Sequence, residues 1–250
     1  MKAIILAAGI GQRLGKEVHD GPKCLIKFDG ATLLARHLET LRQCGVEHVI
    51  IAVGYRHELI EDEIQKVAPD DFVSVIHNPD YRKGSVISLW VVREHLASGD
   101  GALLTDADVL YDHRLIRRLM DSRWHNCFLL DRDFEPGDEP VKLCLRNKRL
   151  VEFRKQIDET LEFDMCGEAV GFFRFSRDIA NRIAARAEYY ASAGLDEEPY
   201  EEVIRDVLLA SPHEFAYEDI TGLPWIEIDF PADIGRAQRH ILPKIMNSAH

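Results

Sequence analysis

No apolar run in the chain reaches the length of a membrane span, and no charged, apolar, small-residue leader precedes the first predicted strand. Membrane insertion is therefore excluded and a cytoplasmic setting expected. The five cysteines, at 24, 44, 127, 144 and 166, show no C-x-x-C spacing, and their odd number points to reduced thiols rather than a disulfide framework. Positive charge is in deficit. With 31 Lys and Arg against 43 Asp and Glu, the formal net charge of −12 argues against nucleic acid as a partner. None of the eleven histidines has zinc-site spacing with other histidines or cysteines, and there is no G-x-S-x-G elbow. Repeats, linkers and low-complexity segments are also missing. At 250 residues and 46% apolar composition, one large α/β domain is favoured over two small ones.

What is present is organised around the opening stretch, MKAIILAAGIGQRLGKEVHDGPK. Ala3, Ile4, Ile5 and Leu6 form a short apolar run, as in a parallel strand buried on both faces. Ala7, Ala8 and Gly9 end it with small residues, and Gly11 and Gly15 follow. A strand that runs into a glycine-rich turn leaves backbone N–H groups free for oxyanions. Arg13 and Lys23 add two positive charges, which suits a polyphosphate. Two familiar phosphate loops do not fit. Gly9, Gly11 and Gly15 are one residue too widely spaced for G-x-G-x-x-G. Gly11 to Gly15 encloses three residues, with Glu17 after Lys16, where the Walker loop needs four and a Ser or Thr.

Beyond Lys23, Thr32 is placed to cap a helix running to about Cys44. Strands are expected at 48–53 and 72–76, separated by a helix at 58–67. A polar loop from Asn78 to Ser85 leads to a helix at about 86–96, then a strand at 102–105 and a helix at 113–121. This β-α-β-α-β order implies a mostly parallel, doubly wound sheet with right-handed crossovers. Strands at 127–130, 141–145, 150–153 and 169–175 lack intervening helices, so a smaller mixed or antiparallel region follows, with a loop at 135–140. Helices at 176–190 and 199–209 and a strand at 225–228 come next, and Pro231 and Asp233 suit the first turn of a final helix.

Two acidic constellations stand at strand ends. Asp106 and Asp108 follow Leu103-Leu104-Thr105, at the carboxyl end of a predicted central strand, where open parallel sheets bind ligands. In Trp225-Ile226-Glu227-Ile228-Asp229-Phe230, alternation puts Trp225, Glu227 and Asp229 on one face, the wall of a polar pocket.

The motifs LAAGxGxRL and PKxL, here Leu6 to Leu14 and Pro22-Lys23-Cys24-Leu25, resemble the opening of nucleotidylyltransferases that activate small phosphorylated metabolites. The resemblance implies a single Rossmann-like α/β domain over 1–250, with 1–125 mainly nucleotide-binding and 126–250 mainly acceptor-binding. It implies that Leu6, Ala7, Ala8, Gly9, Gly11, Arg13 and Lys23 hold the nucleotide, with Arg13 and Lys23 catalytic. Asp108 and Asp229 match the positions that jointly hold Mg²⁺, and Asp106 faces nucleotide and acceptor beside them. Arg82-Lys83-Gly84-Ser85-Val86 resembles a cytosine-contacting loop, which assigns Arg82, Gly84 and Ser85 to the nucleotide. Asn78-Pro79-Asp80-Tyr81 with Ser88-Leu89-Trp90 looks like bacterial phosphocholine and aminoalkylphosphonate cytidylyltransferases. A lysine from the second half meets the acceptor phosphate there, and Lys155 matches its placement better than Lys142. Glu168, within Gly167 to Phe173, resembles the acceptor wall. Trp225 beside Glu227 and Asp229 would offer an aromatic face to a compact cation.

The expected reaction is transfer of CMP from CTP to a small phosphorylated or phosphonylated alcohol or amine, releasing pyrophosphate with Mg²⁺ as cofactor. A homodimer is left open. A sugar-1-phosphate nucleotidylyltransferase using UTP, GTP or dTTP is the first alternative, and a D-x-D metal-dependent glycosyltransferase the second.

Overall fold

The computed structural model describes residues 1–15, 18–135 and 137–248. Lys16 and Glu17 of the opening stretch and Pro136 of the loop at 135–140 lie outside the described residues. The first half runs β1 (Lys2–Ala7), β2 (Lys27–Phe28), β3 (Ala31–Thr32), α1 (Leu33–Gln43), β4 (His48–Val53), α2 (His57–Val67) and β5 (Val73–His77). It continues with α3 (Ser85–Val91), α4 (Arg93–Ala97), β6 (Ala102–Asp106), β7 (Val109–Tyr111) and α5 (Arg114–Asp121). The second half holds β8 (Cys127–Asp131), β9 (Lys142–Arg146), β10 (Arg149–Arg154), β11 (Met165–Phe175), α6 (Arg177–Ser192) and α7 (Tyr200–Ala210). Last come β12 (Ala216–Asp219), β13 (Trp225–Glu227), α8 (Pro231–Arg236) and α9 (Leu242–Ser248).

Nine of the strands share one sheet. β1 lies between β4 and β6, parallel to both, and β5 extends the β4 side in parallel. β11 runs antiparallel and serves two neighbourhoods. Its end, Phe172–Phe175, pairs with β6, and its beginning, Met165–Glu168, pairs with β9, which carries β10. β8 also pairs with β11, and β12 joins β8 in parallel. This is the expected doubly wound, mostly parallel sheet with a mixed region beside it.

The central strands read as unbroken apolar runs because both faces are covered. One buried cluster joins Ile4, Ile50 and Leu104 to side chains of α3, α4, α6 and α7. Another joins Ile5, Ile51 and Leu103 to α1, α2 and α5. A third ties Leu14, Phe28 and Leu33 to Leu110, Ile228 and the C-terminal helices, fastening the opening loop to the end of the chain. Thr32 caps α1 as expected, its Oγ1 accepting from the Ala35 N–H at 3.0 Å, a contact worth about 1 kcal/mol.

Two expectations change. The helix at 86–96 is divided at Val92, where the N–H of Val92 and the Arg93 guanidinium both donate to the carbonyl of Trp90. β7 and β12 were not foreseen. β7 pairs antiparallel with β13, and the Ile228 N–H donates to the Asp108 carbonyl at 2.9 Å, so the chain around residue 229 is laid against the end of β6. Among the described residues, no helix is long and apolar enough to cross a membrane.

Candidate active site

The end of β1 passes into a loop whose shape depends on Gly11. Its φ of +67° is left-handed, and a Cβ there would lie 2.9 Å from the Lys23 Cγ. Glycine thus permits the turn and leaves room for the lysine stem. Pro22 leads Lys23 into a single 3₁₀ turn, Lys23–Leu25, with buried Cys24 as its anchor. The lysine then points at two acids, reaching Asp108 Oδ2 at 2.9 Å and Asp229 Oδ1 at 2.5 Å. Burial alone would lower its pKa, but the two carboxylates outweigh burial and hold the ammonium above its usual range.

Arg13 approaches from the other side. Its Nη2 donates to Asp229 Oδ1 at 2.9 Å, Nη1 pairs with Glu139, and the guanidinium lies 5.4 Å from the Phe230 ring centroid. Asp229 is held from behind by α8, where Asp233 Oδ2 accepts from the backbone N–H groups of Asp229 and Phe230 at 3.1 and 2.7 Å. Glu227 completes the group: one oxygen each of Asp108, Glu227 and Asp229 lie within 4.8 Å of one another. The walls around Glu227 push its pKa well up, and the charges of Asp108, Asp229 and Asp106 add to that, although the side chain stays open to the cavity. Three hard oxygen donors this close fit a divalent cation of the Mg²⁺ kind.

These groups stand at one end of a cavity of about 500 Å³. Adjoining it, with Glu227 shared between the two, is a narrow crevice of about 40 Å³, lined by Asp106, Glu139, Glu168, Glu201 and Glu227 with Lys155 and the aromatic rings of Phe153, Phe173 and Tyr200. Asp106 accepts from the Tyr200 hydroxyl at 2.8 Å. It also lies where a Cβ on Gly171 would be, 2.1 Å away, and Gly171 has a φ of +74°, so the bend of β11 there needs glycine. Burial, then the charges of Asp108 and Glu201, raise the Asp106 pKa well above the ordinary range. Burial likewise raises Glu201, one of whose carboxylate oxygens has no hydrogen-bond partner among the described residues. Glu168 is pushed up to about 7, by burial first and by Asp131 next. Apart from Glu139, which Arg13 and Lys155 hold below its usual range against burial, the acids of the crevice are reluctant to ionise.

A model of the MobA-like NTP transferase domain matches residues 3–163, from β1 to just before β11. The chain belongs to this family. The chain is 30% identical over 245 residues to a bifunctional IPC transferase and DIPP synthase of Rubrobacter xylanophilus, covering 96% of this chain and 52% of that one. It is 24% identical over 259 residues to a CMP-5'-(3-aminopropyl)phosphonate synthase of Streptomyces rubellomurinus, covering 100% of this chain and 41% of the relative. The chain thus spans about half the length of these curated relatives. The structure of a CTP:phosphocholine cytidylyltransferase from Streptococcus pneumoniae superposes with a TM-score of 0.73 over 95% of this chain and 97% of that one, at 22% identity, so the two share the fold.

Most of the residues singled out from the sequence meet at the cavity. Leu6, Ala7, Ala8, Gly9, Gly11, Arg13, Lys23, Ser85, Asp106, Asp108 and Lys155 line it, and Glu168 lines the crevice. Asp229 joins them through Lys23 and Arg13. Four do not face it. Arg82 stacks on Tyr81 at 5.0 Å, and Gly84 is pressed against the backbone of Glu197 and Glu198, so Tyr81, Lys83 and Ser85 are the residues this loop presents. Lys142 donates to the carbonyls of Gly137 and Lys155, each at 2.6 Å, and so braces the segment from which Lys155 faces both spaces. Trp225 shares a strand face with Glu227 but lines neither space; its indole N–H donates to Asp131 at 2.7 Å. Tyr200 and Glu201 went unrecognised, because on α7 they carry only a helical pattern. Glu227 was visible in the alternation but had not been counted with the metal ligands.

Proposed function

We propose that the protein is a cytidylyltransferase that moves CMP from CTP to a small phosphorylated or phosphonylated acceptor bearing an amine or quaternary ammonium. The reading rests on one observation: a cation-bearing glycine loop and a crevice lined by five carboxylates and a single lysine adjoin in one cavity. The loop suits a polyanion and the crevice a cation attached to an anion. The product in the name of the Streptomyces relative, an aminopropylphosphonate, has this chemistry.

The reaction forms a bond between an acceptor phosphate or phosphonate oxygen and the α-phosphorus of CTP. The bond from that phosphorus to its bridging oxygen breaks, and pyrophosphate leaves. No general base is required, because a phosphate acceptor already carries about 1.5 to 2 negative charges near neutral pH. The difficulty is bringing two anions together. Arg13 and Lys23 offset that repulsion and stabilise charge on the departing pyrophosphate. Lys155 orients the acceptor anion, while Glu168, Glu201 and Asp106 hold its cationic end. Asp108, Glu227 and Asp229 would hold a divalent cation, which when bound supplies Lewis-acid charge at the polyphosphate. Ser85 and Tyr81 face the nucleobase side. A buried acceptor aimed at the cytosine amine would leave UTP with an unpaired clash, costing about 1–3 kcal/mol.

A pyrophosphate-release screen tests this with CTP, UTP, GTP and dTTP against phosphocholine, 2-aminoethylphosphonate, inositol phosphate and sugar-1-phosphates, with Mg²⁺ present. CTP with a cationic acceptor is expected to be preferred. Preference for a neutral polyol phosphate would remove the cationic acceptor and keep nucleotidyl transfer. Hydrolysis of nucleotide-sugars without pyrophosphate release from any triphosphate would remove both.

A further inference from the structure

On the β5 side of the sheet, apart from the acids of the cavity, stands a second cluster of ligating groups. His57 and Glu61 are four residues apart on α2, which places them on one face of the helix. His77 is the last residue of β5. His57 Nδ1 and His77 Nε2 both meet the same oxygen, Glu61 Oε1, at 3.1 and 2.8 Å. The two imidazole rings are 3.8 Å apart between centroids and inclined by 69°. One ligand atom from each of the three residues lies within 4.8 Å of the others. Atoms bonded to one ion at about 2.0–2.1 Å, with a tetrahedral angle between them, stand roughly 3.3 Å apart, so the two measured separations are a few tenths from that spacing. Small side-chain rotations complete the set.

We propose that His57, Glu61 and His77 form a binding site for a divalent transition-metal ion of the Zn²⁺ kind. Two imidazoles and a carboxylate suit such ions and not Mg²⁺, which prefers oxygen alone. His57 Nε2 lies 3.3 Å from Glu58 Oε1, so a ring that ligates through Nδ1 has a carboxylate at its other nitrogen, the usual second partner that fixes tautomer and ring orientation. The site is open to solvent, with His77 half exposed, so an ion can enter without unfolding.

The site also has a route to the cavity. An ion there joins the first turn of α2 to the end of β5, and the segments adjoining those two points pack together. The Asn78 N–H donates to the Val53 carbonyl at 2.7 Å, the Tyr55 and Tyr81 rings are 6.2 Å apart, and the Tyr55 N–H donates to the Ala8 carbonyl at 3.0 Å. Tyr81 and Ala8 both line the cavity. The ion therefore fastens the wall on which the nucleobase side of the cavity is built.

Titration calorimetry with Zn²⁺ on the whole chain, in excess Mg²⁺ to satisfy the all-carboxylate cluster, tests the proposal. The unaltered protein should bind one equivalent that His77→Ala and Glu61→Gln each weaken by about 100-fold or more, since even outer partners of a ligand cost about 10- to 100-fold. Zn²⁺ should also raise its melting temperature by mass action, an effect lost in His57→Ala/His77→Ala. Circular dichroism and Mg²⁺-supported pyrophosphate release check that the variants stay folded. Absence of binding and of any thermal shift in the unaltered protein overturns the proposal without recourse to a variant. So does an equivalent that persists in the double variant or disappears on thiol alkylation, which would assign it to cysteine.

Discussion

The glycine loop and the crevice treat charge in opposite ways. At the loop, Lys23 rests on Asp108 and Asp229, and Arg13 on Asp229 and Glu139. In the crevice, Asp106, Glu168, Glu201 and Glu227 are all pushed up in pKa by burial first, and for Asp106, Glu168 and Glu227 by neighbouring acids next. Lys155 is the one cation lining the crevice among the described residues. At the loop the cations are fixed by acids, while in the crevice burial disfavours the ionised form of the acids, which a nearby cation would favour. Overall charge is a poor guide to either: a chain of net charge −12 still fixes two cations beside one loop.

The contrast breaks most visibly at the glycine-loop end. Lys23→Ala is expected to lower turnover by about 10²-fold or more, as for loss of a preorganised charge donor, with melting temperature little changed. Asp108→Asn and Asp229→Asn should each abolish metal-dependent pyrophosphate release, and the double variant should be no worse than the weaker single one, because the acids act as a unit. Independent, multiplying losses would mean that the acids do not share a task.

A smaller and more selective effect is expected in the crevice. Glu201→Gln should raise the KM of a cationic acceptor about tenfold and leave the KM for CTP unchanged. It should also match or exceed the parent in thermal stability above neutral pH, because a neutral amide removes the cost of ionising a carboxyl whose pKa burial raises. Equal losses for both substrates would erase the distinction between the loop and the crevice.

Smaller still is the pH response of Glu168. A carboxyl whose folded pKa is raised contributes stability that is complete below its unfolded value, 4.5, and lost as pH rises through about 7. The ligand-free protein should therefore lose thermal stability between about pH 5 and pH 8, and Glu168→Gln should flatten that part of the profile. A cationic acceptor favours the ionised form and should bind more tightly toward the upper end of this window. Identical profiles for parent and variant would return Glu168 to an ordinary strand carboxylate.

The least effect on specificity belongs to Trp225→Ala. Because its indole donates to Asp131 and packs beside the core rather than in the crevice, this variant should lower melting temperature and change both KM values alike. A rise confined to the cationic acceptor would put the aromatic ring back in the pocket.

Legibility in the sequence follows the same division. The glycine-loop end could be read because its parts are contiguous: strand, glycines, arginine and Pro-Lys fall within the first 23 residues. The crevice is assembled from β10, β11, α7 and β13 and the segments around Glu139 and Lys155, and nothing local announces that meeting. Periodicity assigns a residue to a face and not to a place along it, which is how Trp225 came to be grouped with Glu227. At one end of that three-residue strand the face meets Asp131 of β8, and at the other it meets the cavity. Lys142 looked like an anion receptor because sequence does not reveal that two backbone carbonyls already hold its ammonium. The parallel core was legible from apolar runs, whereas β7 and β12, three and four residues long, are too short to show a period.

β11 bears on how the chain may be cut. The family match ends at residue 163, two residues before this strand begins at Met165, yet the strand supplies hydrogen-bonded neighbours to β6, β8 and β9 at once. A shortened chain designed on that boundary would keep every glycine, lysine and aspartate of the opening loop and of β6 while stripping β6 of one flank. It would leave a long, apolar sheet edge bare, the kind of surface that pairs with other copies. The stretch that the family model covers is therefore not one that can be taken out and used alone.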